Sequence, residues 1–349
     1  MHDSRRDGVR IAVPDAPTVS GLSFRRFAGP ADYPAMAAVS EAEKTADRSE
    51  GTTTVDDVAR TYRHLVNSDP DRDVLFAEVD GVVIGYGRGW WGDEWSGTRN
   101  YWLFAKLDPR WRGCGIRLAM LRWLEARMRE VAAGHPSDLP KTLQAAGDEY
   151  ETDWLRLLES EGYAPARWGR LMVRSLAEPI PACSLPDGLE VRPVQESEIL
   201  AIWRAGEEAF RDHWGHGEWK DEGLAEWRES PSFQTHLWQV GWDGDRVAGA
   251  VLAHVDEAEN REFGRKRAFA QSIFVRRPWR GRGLAKALIT RSLLAWKQMG
   301  MTEAAHGVDT QNATGALQLY ESLGYRATRT LITYRKPLAQ PDEAGAARN

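Results

Sequence analysis

The chain has 349 residues, 42% of them hydrophobic and 28% charged, with a net charge of −5. That length suits two globular domains of about 150–180 residues each. The composition excludes a disordered chain, a collagen-like repeat and a disulfide scaffold. The negative balance argues against a nucleic-acid partner, which would call for a basic footprint.

No apolar run approaches the roughly 18–20 residues that cross a bilayer, so no membrane partner is expected. Met1-His2-Asp3-Ser4-Arg5-Arg6-Asp7 carries acids and no apolar core, and does not read as a signal peptide. Two cysteines, Cys114 and Cys183, cannot build a structural zinc site or a disulfide framework. They fit a reducing cytoplasm.

In chain order, residues 1–18 read as a loose terminus, and the chain then repeats itself. Gly21-Leu22-Ser23-Phe24-Arg25-Arg26-Phe27 matches Gly188-Leu189-Glu190-Val191-Arg192-Pro193-Val194, 167 residues on. Val79-Asp80-Gly81 matches Trp242-Asp243-Gly244, and Trp111-Arg112-Gly113-Cys114-Gly115 matches Trp279-Arg280-Gly281-Arg282-Gly283. Leu157-Leu158-Glu159-Ser160-Glu161-Gly162-Tyr163 matches Leu319-Tyr320-Glu321-Ser322-Leu323-Gly324-Tyr325. Four anchors in one order at nearly one spacing mean a duplicated domain. The copies are expected at residues 19–178 and 188–338, joined by a linker at 179–187 and followed by a loose tail at 339–349. Pro179, Pro181 and Pro186 break regular structure at the boundary.

In the second copy a strand is predicted at Leu189–Val194 and a helix at Glu196–Phe210. Strands follow at His236–Gly241 and Arg246–Val255, joined by the turn Trp242-Asp243-Gly244-Asp245, and another at Arg267–Val275. Then come a helix over Arg282–Met299 ended by Gly300, a strand at Ala304–Asp309, a helix at Ala313–Leu323 and a strand at Thr328–Lys336. The expected fold class is α/β, a mixed sheet flanked by helices, twice over.

Ile273-Phe274-Val275 leads through Arg280-Gly281-Arg282-Gly283 into a helix beginning Leu284-Ala285. Free N–H groups at such a helix start, with the helix dipole, bind phosphate oxygens. Lys286 stands where the dinucleotide fingerprint has its third glycine, and the P-loop ending is absent.

Arg280-x-x-Gly283-x-Ala285 resembles the pyrophosphate motif of the GNAT superfamily of N-acetyltransferases, and Asn312, Tyr320 and Gly324-Tyr325 resemble its second signature. The resemblance covers residues 187–338. It implies acetyl-CoA as co-substrate and direct acetyl transfer to an amine; a small-molecule amine is the leading expectation, and no metal is expected, since His213 and His216 lack further clustered ligands. The main chain of Ile273, Phe274 and Val275 would hold the pantetheine arm, and Arg280, Gly281, Arg282, Gly283, Leu284 and Ala285 the pyrophosphate. Asn312 would touch the cofactor, and Tyr320 would act as the acid that protonates the leaving thiolate.

The family's base positions hold Gln271 and Phe269, neither able to take a proton. Other candidates are His254, Asp256, Glu257, Asp212, His213 and His216; a water chain, or an amine arriving neutral, serves as well. Asp212, His213, Trp214 and Glu257 are candidate acceptor-binding residues.

In the first copy Arg117 replaces Ala285, Tyr150 the asparagine and Leu158 the tyrosine. Arg117 either crowds the helix start or reaches a phosphate. One intact copy of two resembles the tandem architecture of mycothiol synthases, a likeness that names no acceptor. A non-catalytic acyl-CoA sensor and a protein N-acetyltransferase are the competing readings.

Overall fold

A computed structural model describes residues 8–136, 138–312 and 315–338, so the segments 1–7 and 339–349, expected to be loose, lie outside the described residues. The chain forms two compact units, Met1–Ala166 with Ile332–Asn349, and Arg167–Leu331. Their limits do not follow the linker at 179–187. Each unit takes its last strand from the end of the other sequence repeat.

The first unit contains β1 (Arg10–Ile11), β2 (Leu22–Arg25), α1 (Tyr33–Asp47), α2 (Val55–Arg63), α3 (Pro70–Asp73), β3 (Val74–Val79), β4 (Val82–Asp93), β5 (Arg99–Leu107), α4 (Ile116–Ala133), β6 (Lys141–Asp148) and α5 (Thr152–Ser160). β7 (Ala164–Ser175) then carries the chain into the second unit. There follow β8 (Glu190–Val191), α6 (Ile199–Phe210), α7 (Asp221–Glu229), β9 (Gln239–Asp243), β10 (Arg246–His254), α8 (Glu257–Glu262), β11 (Arg267–Val275), α9 (Leu284–Gln298), β12 (Glu303–Asp309), α10 (Ala316–Ser322) and β13 (Arg326–Pro337). From Ile332 onward β13 belongs to the first unit.

Strand order in the first unit is β1-β2-β3-β4-β5-β6-β13, and in the second β7-β12-β11-β10-β9-β8. β5–β6 and β11–β12 pair parallel, and β7–β12 and the strands before β5 and β11 antiparallel. Each sheet is covered on both faces. In the second unit Leu284, Leu288, Leu293 and Trp296 of α9 pack on one side, and Ile199, Ile202 and Ala205 of α6 on the other.

The strand expected at Arg267–Val275 is found with those limits. The helix after the glycine turn starts two residues later than expected, because Gly283 sits at φ +83°, outside the right-handed helix. The strand expected at His236–Gly241 lies at Gln239–Asp243, since a short 3₁₀ turn at Thr235–Leu237 takes up its start. Gln234 fixes that turn by bonding both main-chain groups of Val255. The helices α7 and α8 were not expected; Trp227 of α7 stacks on Trp238 at 5.0 Å.

The exchanged strand is anchored in the first unit by specific bonds. Tyr334 is 2% exposed, and its hydroxyl donates to Glu159. Arg335 donates to Gln144 and Lys336 to Glu125. A chain ended after Leu331 should therefore lose amide protection in β6 and α4 of the first unit, while β10 and β11, nearer the cut in sequence, keep theirs. Hydrogen exchange resolved by peptide checks this.

Candidate active site

β11 and β12 pair over only four residues, from Arg267↔Glu303 to Ala270↔His306, and then part. A β-bulge between β10 and β11 leaves Gln271 without a partner in the ladder and adds to the divergence. The opening is a cleft of about 620 Å³. Ser272 to Val275 line one side, Gly307 to Asp309 the other, and Tyr320 of α10 the inner wall.

The turn that closes one end is built by two glycines. Gly281 and Gly283 have φ of +74° and +83°, which side chains with a Cβ rarely adopt. A Cβ on either would meet open space, so backbone conformation is what calls for glycine here. Gly283 caps α9 without a side-chain hydrogen bond. The first N–H groups of the helix thus stay available for a ligand. Leu284, Ala285 and Lys286 all line the cleft, and Lys286 adds a cation that the sequence reading left out.

Arg280 is spent on the protein itself. It donates to the carbonyls of Val275 (2.9 Å) and Ala209 (3.1 Å) and to Asp212 (3.1 Å). Arg282 is exposed and is not among the cleft-lining residues. Asp212 lies outside the lining as well, and Arg277 and Arg280 hold its carboxyl down at about 2.

Trp214 sits under the Arg167 guanidinium at 5.4 Å, away from the cleft wall. Arg167 also holds Asp309 at 2.7 Å. Glu257 lines a different depression, of about 300 Å³, beside Asn260 and Lys266. Asp256 caps α8 through the N–H of Glu259. His254, packed on Phe269 at 5.6 Å, does not line the cleft.

Of the acceptor and base candidates, His213 and His216 do line it, with Phe210 and Trp219. Phe210 packs on His213 at 4.6 Å and stacks on His216 at 5.0 Å. Burial, and then the neighbouring His213, pushes His216 down to about 4. Burial and the Arg280 charge lower His213. Gln271 is also at the wall, accepting from the indole of Trp227 at 3.1 Å.

Tyr320 is 6% exposed, and burial raises its phenol above its ordinary value. The ring centroid lies 3.8 Å from that of His306, a residue no motif pointed to. His306 Nδ1–H donates to the Gly307 carbonyl at 3.1 Å, and burial lowers the ring to about 4. Its Nε2 is buried with no partner among the described residues. Asn312 completes the wall. Among the described residues no cluster of His, Cys, Asp or Glu is placed to hold a metal, and no helix is long and apolar enough to cross a membrane.

The profile of the acetyltransferase (GNAT) family matches residues 36–139 and 199–325. The chain belongs to the GNAT family. It is an N-acetyltransferase with two GNAT domains in tandem. It is 29% identical over 270 residues to a mycothiol acetyltransferase of Geodermatophilus obscurus, a match covering 76% of this chain and 82% of the relative.

A crystal structure of a GCN5-related N-acetyltransferase from Sphaerobacter thermophilus is similar with a TM-score of 0.68 and 26% identity, covering 93% of this chain and 97% of that one. A tandem GNAT protein from the clavulanic acid biosynthesis pathway shares the fold with a TM-score of 0.63 at 16% identity, over 92% of this chain and all (100%) of that one.

GNAT acetyltransferases use acetyl-CoA in general.

The buried imidazoles bear on stability. His216 and His306 titrate near 4 in the folded chain, below the ordinary 6.5 of histidine. Between those values the unfolded chain binds more protons, so stability rises with pH across about 4 to 6.5 and levels off above. Urea midpoints measured from pH 4 to 7.5 should show this rise, and His306→Phe should make it shallower.

Proposed function

We propose that the second unit transfers acetyl from acetyl-CoA to the primary amine of a small molecule. The observation that carries this reading is the cleft itself. Gly281 to Ala285 of the turn, save Arg282, Ile273 to Val275 of β11 and Tyr320 of α10 share one opening. Relatives named as mycothiol acetyltransferases support a small-molecule acceptor. The aromatic wall of Phe210, Trp219, His213 and His216 suits a compact polar amine that stacks on rings.

In this reading the amides of Gly283, Leu284 and Ala285 hold the pyrophosphate, with Lys286 supplying charge. The main chain of Ile273, Phe274 and Val275 aligns the thioester beside the amine, and this positioning supplies much of the rate. The amine nitrogen bonds to the acyl carbon as the carbon–sulfur bond breaks. Tyr320 gives its proton to the departing thiolate. Its raised affinity for that proton keeps it in the donor form at every working pH.

Of the proton acceptors considered, only His213 and His216 combine a place on the wall with a neutral ring at pH 7. Either takes the proton released by the amine. Asp212 and Asp309 are held by arginines, and Asp256 by a helix cap.

Tyr320→Phe keeps the ring packed on His306 and removes its proton. Turnover, read as CoA-thiol release with a panel of small amines, should fall by about 100–10,000-fold while acetyl-CoA affinity holds. A variant working at the parent rate removes Tyr320 from the chemistry, and a parent with no activity on any small amine counts against a small-molecule acceptor.

The base is tested by pH. With a neutral imidazole as acceptor, kcat/KM rises as the ring loses its proton, so the acid limb should lie below pH 6.5. Whichever of His213→Asn and His216→Asn abolishes that limb identifies the base. A limb unchanged in both assigns the proton to solvent.

A further inference from the structure

The first unit repeats the opening but fills it with its own side chains. β5 and β6 pair from Arg99↔Lys141 to Trp102↔Gln144 and part beyond, as β11 and β12 do. The glycine turn is repeated too, with Gly113 and Gly115 at φ +76° and +78°. Past the fork, the main-chain groups of the first unit are taken up internally.

Arg117 Nε donates to the Ala105 carbonyl at 2.7 Å. The indole N–H of Trp154 donates to the Ala146 carbonyl at 3.0 Å. The Leu107 N–H points at Glu43 Oε1, 3.4 Å away. The three side chains also hold one another: Arg117 pairs with Glu43 at 3.0 Å, and its guanidinium lies 4.4 Å from the centre of the Trp154 ring. Trp154 is 2% exposed and Arg117 8%.

The repeat alignment makes the contrast specific. Ala105, Leu107 and Ala146 correspond to Ile273, Val275 and Val308, all of which line the open cleft of the second unit. Arg117 and Trp154 correspond to Ala285 and Ala316, small residues that also line it. Glu43 corresponds to Glu208, which pairs instead with Arg276 at 2.6 Å.

Three exchanges therefore fill much of a groove that is open in the other unit, leaving a depression of about 230 Å³ beside Glu43 and Lys106. An arginine and a tryptophan stand where the other unit has alanines, and a carboxylate is turned inward. Displacing Arg117 would leave Glu43, with 6% side-chain exposure, buried without its nearest cation, a costly state.

We infer that Arg117, Glu43 and Trp154 form a built-in occupant of the first unit's groove, so that the chain binds one acyl-CoA and the first unit binds none. Arg117 reaches back to the strand and does not meet a phosphate. The inference rests on reading the second unit's cleft as the acetyl-CoA site.

Hydrogen exchange of the full chain with and without acetyl-CoA separates the two claims. Protection should appear over residues 267–285 and be unchanged over 99–117, with calorimetry giving one site per chain. Acetyl-CoA-dependent protection over 99–117, or a second site, overturns the built-in occupant whatever happens at 267–285. Loss of protection at 267–285 alone counts against the second-unit site and leaves the filled groove standing. Arg117→Ala should melt several degrees earlier yet bind acetyl-CoA with unchanged affinity. A tenfold loss of affinity would place Arg117 on the cofactor and refute the inference.

Discussion

Parallel pairing that stops after four residues is the constraint from which the rest follows. Beyond Trp102↔Gln144 in one unit and Ala270↔His306 in the other, each strand presents N–H and carbonyl groups with no strand opposite. Such groups in a protein interior must find partners. The fork is thus a demand that the fold creates and that something else has to meet. In the first unit Arg117, Trp154 and Glu43 meet it with side chains; in the second, small residues leave the fork open. One architecture gives a domain with a filled fork and one with an open fork, by changes in the few side chains that project into it.

The turn beside the fork is fastened alike in both units. Arg112 makes a bidentate pair with Asp47 at the end of α1, and Arg280 joins Asp212 just past the end of α6. The buried version, with Asp47 at 6% side-chain exposure, has more to lose if broken than the half-exposed Asp212 pair, where solvent screens the charges. The arginine that looks in sequence like a phosphate ligand is in both copies a strut. It ties the turn to the first helix.

The reacting wall is kept neutral by burial. Two imidazoles at the cleft and a third behind Tyr320 are all pushed toward the uncharged form, and the tyrosine is pushed toward its protonated form. Neutral imidazoles and a protonated phenol thus line one opening. The carboxylates nearby, Asp212 and Asp309, are each committed to arginine.

The duplication and the glycine turns are legible in the sequence because each rests on local chemistry. A glycine at positive φ is demanded by its own backbone, and β11 is bounded by its own alternation and the following turn. Residues whose roles depend on distant partners were not legible. Asp212 reads as an acceptor ligand in the sequence, and in the fold it pairs with Arg277 and Arg280; Glu257 reads likewise, and lines a different depression. His306 carried no motif, since its contact with Tyr320 joins β12 to α10 only after both pack. Arg117 was ambiguous between crowding and phosphate binding. Its direction is set by Glu43 and Trp154, 74 and 37 residues away in sequence. Sequence by itself determined the two copies and where their backbones must turn. Tertiary structure alone decided which copy is open, because a long side chain takes its direction from partners that only folding brings within reach.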